Sequence, residues 1–225
     1  MIPFLRETTP FPPVSRALKS PNGLLAAGGD LSPSRLLDAY SKGIFPWFSE
    51  GDPILWWSPD PRMVLFPDEL RVSRSLRKTV QRGVYETRFD TAFRAVIEAC
   101  AAPRAGQMGT WILPEMVAAY TTLHDLGYAH SVESWREGEL VGGLYGVALG
   151  RVFFGESMFS HAPDASKVAL VKLVERLLAQ QFRLIDCQQA TAHLASLGAR
   201  EVPRKVFAQW VRESIQCSPS GNLFT

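Results

Sequence analysis

Two short runs place polar side chains where a buried strand would carry apolar ones. Within 182–188, FRLIDCQ, the period-two geometry of a strand puts Leu184, Asp186 and Gln188 on one face, so an acid and an amide project side by side. Within 152–159, VFFGESMF, Glu156 stands at the end of an apolar strand, where a carboxylate needs either a partner or a task. If both strands line one cleft, Asp186 and Glu156 make it negative. With Phe153, Met158 and the 170–177 helix beside it, such a cleft suits a cationic group next to an apolar side chain. Either carboxylate alone is better accounted for by a structural hydrogen bond or by a strand end facing water. Two on neighbouring strands favour chemistry.

Other chemistries have less support. Ser157 lies in GES without the GxSxG elbow, and no histidine stands in a local pattern that would activate it or Cys187. Cys100, Cys187 and Cys217 are widely spaced and free of CxxC, and His124, His130, His161 and His193 are scattered, so neither a disulfide framework nor a metal centre is expected. Gly142, Gly143 and Gly146 form no phosphate-binding fingerprint.

The elements that must position these residues can be read from caps and periodicity. Ser32 and Pro33 open a helix with Leu36, Leu37 and Tyr40 as its stripe, stopped at Gly43. Residues 63–66 read as a buried strand, and the helix at 73–83 begins at a Ser73 cap. Asp90 is expected to cap a helix carrying Phe93, Val96, Ile97 and Cys100, and Pro114 to open another with Val117, Tyr120 and Leu123 inward. Strands at 129–135, 140–148 and 152–159 form an antiparallel meander. Asp164 or Ser166 then caps a helix with Ala169, Leu170, Leu173, Val174, Leu177 and Leu178 on its apolar face. The strand at 182–188 returns by a crossover into parallel pairing. The fold class is α+β, or mixed α/β. A small N-terminal domain at 1–62 precedes a domain at 63–225 built on a mostly antiparallel sheet.

With 225 residues, 46% hydrophobic and 20% charged, the chain is long enough to bury a sizeable core. No apolar run reaches the roughly 18 residues of a membrane span. The first residues lack a secretory pattern, which makes the cytoplasm the expected compartment. Net charge is only +2, so what matters is where charge lies. Arg74, Arg77, Lys78 and Arg82 share one helix face, either a phosphate footprint or a solvated surface. The segment 43–61 packs Phe45, Trp47, Phe48, Trp56 and Trp57 among four prolines, in a run too irregular for a helix. It is either a rigid aromatic recognition surface or a domain seam.

The runs GGDLSP (28–33), KGIFPWF (42–48), LWWSPDPR (55–62), GESMFS (155–160) with ASK (165–167), and IDCQ (185–188) resemble the leucyl/phenylalanyl-tRNA protein transferases, from about residue 3 to residue 212. The resemblance implies an aminoacyltransferase that moves Leu or Phe, and less readily Met, from aminoacyl-tRNA to proteins beginning with Arg or Lys, marking them for N-end-rule degradation. It implies an acetyltransferase-like (GNAT) second domain, a monomer, and neither metal nor cofactor.

Granted those substrates, the ester is already activated, so holding it near a neutral amine and stabilising the oxyanion is the main task. The catalytic pair is Asp186 and Gln188, acting either as a base relay or only to orient substrate. The acceptor sits against Glu156 and Asp186. The resemblance maps the donor side-chain pocket onto Leu144, Phe153, Met158, Leu170, Leu173, Leu177 and Ile185, and the terminal adenosine onto Tyr40, Trp47 and Trp111. Arg74, Arg77, Lys78 and Arg82 face the tRNA phosphates, while Trp56 and Trp57 pin the small domain on the larger. The rival readings are an acetyl-CoA acetyltransferase, which lacks a pyrophosphate-cradling loop, and an RNA- or peptide-binding module without chemistry.

Overall fold

A computed structural model describes residues 2–103 and 112–216. The N-terminal part holds β1 (Phe4–Leu5), β2 (Leu24–Gly28), α1 (Pro33–Ser41), β3 (Phe45–Pro46) and β4 (Leu55–Trp57), with strand order β1-β2-β4-β3. The segment read as irregular thus contains a short antiparallel hairpin, β3 against β4. Then come β5 (Arg62–Leu65), α2 (Arg74–Gln81), β6 (Glu86–Phe89), α3 (Phe93–Ala101), α4 (Pro114–Asp125), β7 (Ala129–Arg136), β8 (Glu139–Leu149) and β9 (Val152–Ser160). The chain ends with α5 (Ala165–Ala179), β10 (Leu184–Gln188), α6 (Ala192–Ser196), β11 (Arg200–Val202) and α7 (Arg204–Ile215).

The second sheet has seven strands in the order β11-β5-β10-β9-β8-β7-β6, and the fold is mixed α/β. Every neighbouring pair in it is antiparallel except β9 and β10, which run parallel because α5 carries the chain across between them. Leu144, Phe153 and Ile185 meet Leu170 and Leu173 of α5 on one face. On the other, Tyr145 and Phe154 meet α3, α4, α1 and Phe207 of α7. That second core runs without a break into Leu25, Leu36 and Trp56 of the N-terminal part.

Local signals set several elements. Ser32 caps α1 by accepting from Arg35 N, Ser73 caps α2 by accepting from Leu76 N, and Pro33 and Pro114 occupy first turns. Asp90 does not cap α3. It has a left-handed backbone, φ 55°, and its carboxylate takes His130 Nδ1 at 2.7 Å and Ser131 N at 2.7 Å. Glu133 of β7 instead accepts from Thr91 N and Ala92 N, both at 3.1 Å, so the helix start is satisfied from across the sheet. At α5 neither Asp164 nor Ser166 supplies a side-chain cap; Asp164 pairs with Lys167 at 2.9 Å, and Leu178 is exposed. Trp56 packs against Phe11, its Nε1 donating to Gly28 O, within the core shared by both parts. The junction is made by Arg204 Nη1, which donates to Ser58 O at 2.6 Å, and by Phe207, whose ring lies where a Cβ on Gly43 would be at 2.8 Å.

In β8, a Cβ on Gly146 would sit 2.3 Å from Phe154 O and 2.6 Å from the Phe153 ring. Gly146→Ala should therefore push β9 away and lower stability by about 1–3 kcal/mol, measured by urea unfolding.

Candidate active site

Parallel pairing of β9 with β10 lasts for Leu184–Val152, Ile185–Phe153 and Asp186–Phe154, and then stops. Both strands bulge beyond that point. Tyr145 faces Ser157 and Gly146 faces Gly155, which leaves Glu156 as the extra residue of β9. Val64 faces Asp186 and Met63 faces Gln188, which leaves Cys187 as the extra residue of β10. Bulges turn side chains out of the ladder. The expected shared face of Leu184, Asp186 and Gln188 is broken here, and Gln188 has φ 55°. A cleft opens where the strands part.

One chamber of this cleft, about 340 Å³, is lined by Leu144, Phe153, Met158, Leu170, Leu173 and Ile185, with Leu65 added by β5. Leu177, expected among them, is fully buried beneath that lining. The second chamber, about 290 Å³, is lined by Phe45, Pro46 and Trp47 of the aromatic hairpin. Glu156, Cys187, Gln188, Thr191 and Leu194 line both. Acid and amide thus stand at the junction.

Glu156 is half-buried and accepts from Tyr40 OH at 2.8 Å, Tyr120 OH at 3.2 Å and Gln188 Nε2 at 3.3 Å; the two tyrosine hydroxyls also touch each other. Burial pushes its carboxyl up to about 7, with nearby Asp186 adding to the rise and the tyrosine hydroxyls and Arg62 opposing it. Burial, reinforced by the Glu156 charge, drives Tyr40 and Tyr120 well above their ordinary value, so both stay protonated donors.

Asp186 is fully buried, and its oxygens accept from Arg62 Nε at 2.7 Å and Arg62 Nη2 at 2.6 Å; Oδ1 also takes Gln188 N at 3.0 Å. The guanidinium carbon lies 4.7 Å from the ring centres of both Phe45 and Phe207. Asp186 thus borders the apolar chamber with both oxygens already engaged, and it holds the left-handed backbone of Gln188.

Tyr40 also needs correction as an adenosine platform. It is fully buried, its ring against Phe154 at 4.9 Å, and it offers Glu156 a hydroxyl rather than a base a face. Trp47 is 39% exposed and tilts against Trp57 at 5.5 Å. Trp111 lies outside the described residues. Arg74, Arg77, Lys78 and Arg82 are exposed on α2, and none is in an ion pair among the described residues. Arg62 and Tyr120 were not anticipated from sequence; an arginine opening a wholly apolar strand was the available signal for the first.

Cys187 has its thiol driven far up by burial and by Asp186, so it stays protonated and is a poor nucleophile. An apolar chamber joined to a carboxylate and an amide can hold an apolar side chain beside a cationic group. Models of the leucyl/phenylalanyl-tRNA protein transferase family match residues 64–212, and of its N-terminal domain residues 29–60. A protein of that name from Nitrosospira multiformis is 63% identical over 98% of this chain and 95% of its own. One from Nitrosomonas eutropha is 66% identical over 93% and 89%. The chain belongs to this family and is an aminoacyltransferase. Among solved structures, a GCN5-related N-acetyltransferase from Kribbella flavida has a TM-score of 0.37 at 11% identity, covering 75% of this chain and 60% of that one, too distant a likeness to bear weight.

Arg62→Met alone should cost about 3–5 kcal/mol of unfolding free energy in urea, because it strands a buried carboxylate. Adding Asp186→Leu should return most of that loss, while transfer stays low because Gln188 N loses its acceptor.

Proposed function

We propose that this enzyme transfers Leu or Phe, and less readily Met, from aminoacyl-tRNA to the N-terminal Arg or Lys of acceptor proteins, marking them for N-end-rule degradation. The observation that carries this reading is the junction itself: a half-buried acid and an amide, Glu156 and Gln188, between an apolar chamber and an aromatic one. The donor side chain enters the first, among Leu144, Phe153, Met158, Leu170, Leu173 and Ile185. That pocket favours side chains unbranched at Cβ, though one methyl group is worth only about 1–3 kcal/mol. Adenosine stacks on Trp47 in the second chamber.

An ester needs no further activation, so the chain's work is positioning. The Gln188 carbonyl orients the acceptor's α-ammonium, Asp186 fixes Gln188, and Glu156 supplies the negative charge that draws a basic N-terminus. The exposed α2 stripe of Arg74, Arg77, Lys78 and Arg82 faces the acceptor-stem phosphates. Residues 1–62 form the smaller domain and 63–225 the catalytic one. No helix among the described residues is long and apolar enough to cross a membrane. The enzyme works in the cytoplasm as a monomer without a cofactor.

The test is transfer of labelled Leu or Phe from charged tRNA to an Arg-starting peptide, run beside acetyl-CoA as an alternative donor. Label should reach the peptide from tRNA alone; failure with both tRNAs would sink the reading. In the same assay, Arg77→Ala with Lys78→Ala should raise KM for tRNA severalfold and reduce its salt slope by about 1 per lost contact. A short aminoacyl-adenosine donor should be used as well by the variant as by the wild type. An equal loss with both donors would make the stripe structural.

A further inference from the structure

We propose that Glu156 is the proton carrier of the transfer: its carboxylate takes a proton from the acceptor's α-ammonium and returns it to the ribose oxygen that leaves. This rests on the donor and acceptor classes proposed above and goes beyond them by assigning the proton.

The geometry narrows the choice. Asp186 borders the apolar chamber but has no exposed surface, and its oxygens are engaged by Arg62 and by Gln188 N. Gln188 lines both chambers, but an amide does not titrate near neutrality. Glu156 also lines both chambers and is turned out of the ladder by its bulge, so its carboxyl stands where donor ester and acceptor amine must meet. Three donors hold it: Tyr40 from α1, Tyr120 from α4 and Gln188 from β10.

The charged and titratable groups around it come from every packed element. Tyr40 and Tyr120 are kept protonated by burial, as is Tyr145 on β8. Cys187 on β10 is held as the thiol, Arg62 and Asp186 neutralise each other, and His193 on α6 lines the apolar chamber. Burial places the Glu156 carboxyl at about 7, where a group can both accept and return a proton near neutral pH.

The step balances as follows. The carboxylate takes one ammonium proton and frees the nitrogen lone pair, which forms the C–N bond while the carbonyl π pair moves onto oxygen. When that pair re-forms the carbonyl, the ester C–O bond breaks and its electrons go to the ribose oxygen, which takes the proton from Glu156. The restored carboxylate accepts the surplus N–H proton of the new amide and passes it to solvent, one proton per turnover.

The test is kcat and KM across neutral pH with Phe-tRNA and an Arg-starting peptide, for wild type, Glu156→Gln, Tyr40→Phe and His193→Gln. Glu156→Gln keeps the shape and an acceptor for one of the two tyrosines, its NH2 facing the oxygen of the other, and its urea midpoint is checked against wild type. Its kcat should fall about 100-fold or more, in addition to the rise in peptide KM that loss of the charge brings, and lose the rise of kcat with pH. Tyr40→Phe removes a donor to the charged carboxylate, so the base form appears later and the inflection moves to higher pH.

A Glu156→Gln enzyme with wild-type kcat and only a raised peptide KM would overturn the proposal, leaving Glu156 as a binding group. So would an inflection unmoved by Tyr40→Phe, which would belong to the peptide's own amine, or one that moves with His193→Gln. No transfer by the wild type would remove the donor and acceptor reading along with this step. Transfer by the wild type with an indifferent Glu156→Gln removes this step alone.

Discussion

The buried ion pair between Arg62 and Asp186 is the contact on which the rest of the molecule leans. Taking both charges out of water costs several kcal/mol each, and the pair offsets this with a two-pronged geometry and two aromatic rings against the guanidinium. Those rings come from opposite ends of the chain, Phe45 in the aromatic hairpin and Phe207 in the last helix. One side chain therefore joins the N-terminal sheet, the C-terminal helix and the strand that carries Gln188. Met or Leu could fill the same volume without desolvated charge, but neither would hold the Gln188 amide.

From that anchor the cleft follows by geometry. A parallel pair of three residues ends at Asp186 and Phe154, and both partners bulge immediately beyond, so the sheet parts where the polar groups lie. A regular strand would send Glu156 and Gln188 to fixed sides of an unbroken ladder. The interruption lets them face each other across a gap, with α5 closing one chamber and the hairpin the other. The acid is then poised by layers: tyrosines from two helices hold it, and burial of those tyrosines keeps them as donors.

How much of this could be read from the chain depended on the range of each interaction. The Ser32 and Ser73 caps, the proline starts and the β7–β8–β9 meander were legible because their determinants lie within a few residues of one another. So was the parallel return of β10 after α5. Asp90 misled because an acid before an apolar stripe looks like a cap, whereas Glu133, more than 40 residues on, satisfies that helix start. Tyr40 read as a stripe residue and, through resemblance, as a base platform, since nothing near it in sequence reveals that its hydroxyl meets Glu156 116 residues away. The two bulges were invisible to a strict alternation. That is why the shared face of β10 was expected and not found, while the acid and amide themselves stood out as polar residues in apolar company.

The core that passes from Trp56 and Leu36 through Tyr40 to Phe154 and Phe207 is continuous between the two sheets. Two sheets look like two parts that could be exchanged among proteins, as many paired domains have been. Here an exchange would strip Tyr40 from the acid and the Phe45 ring from Arg62 at once. The small sheet and the large one share one core, so a chimaera with a foreign N-terminal piece fails in proportion to how poorly that piece rebuilds it.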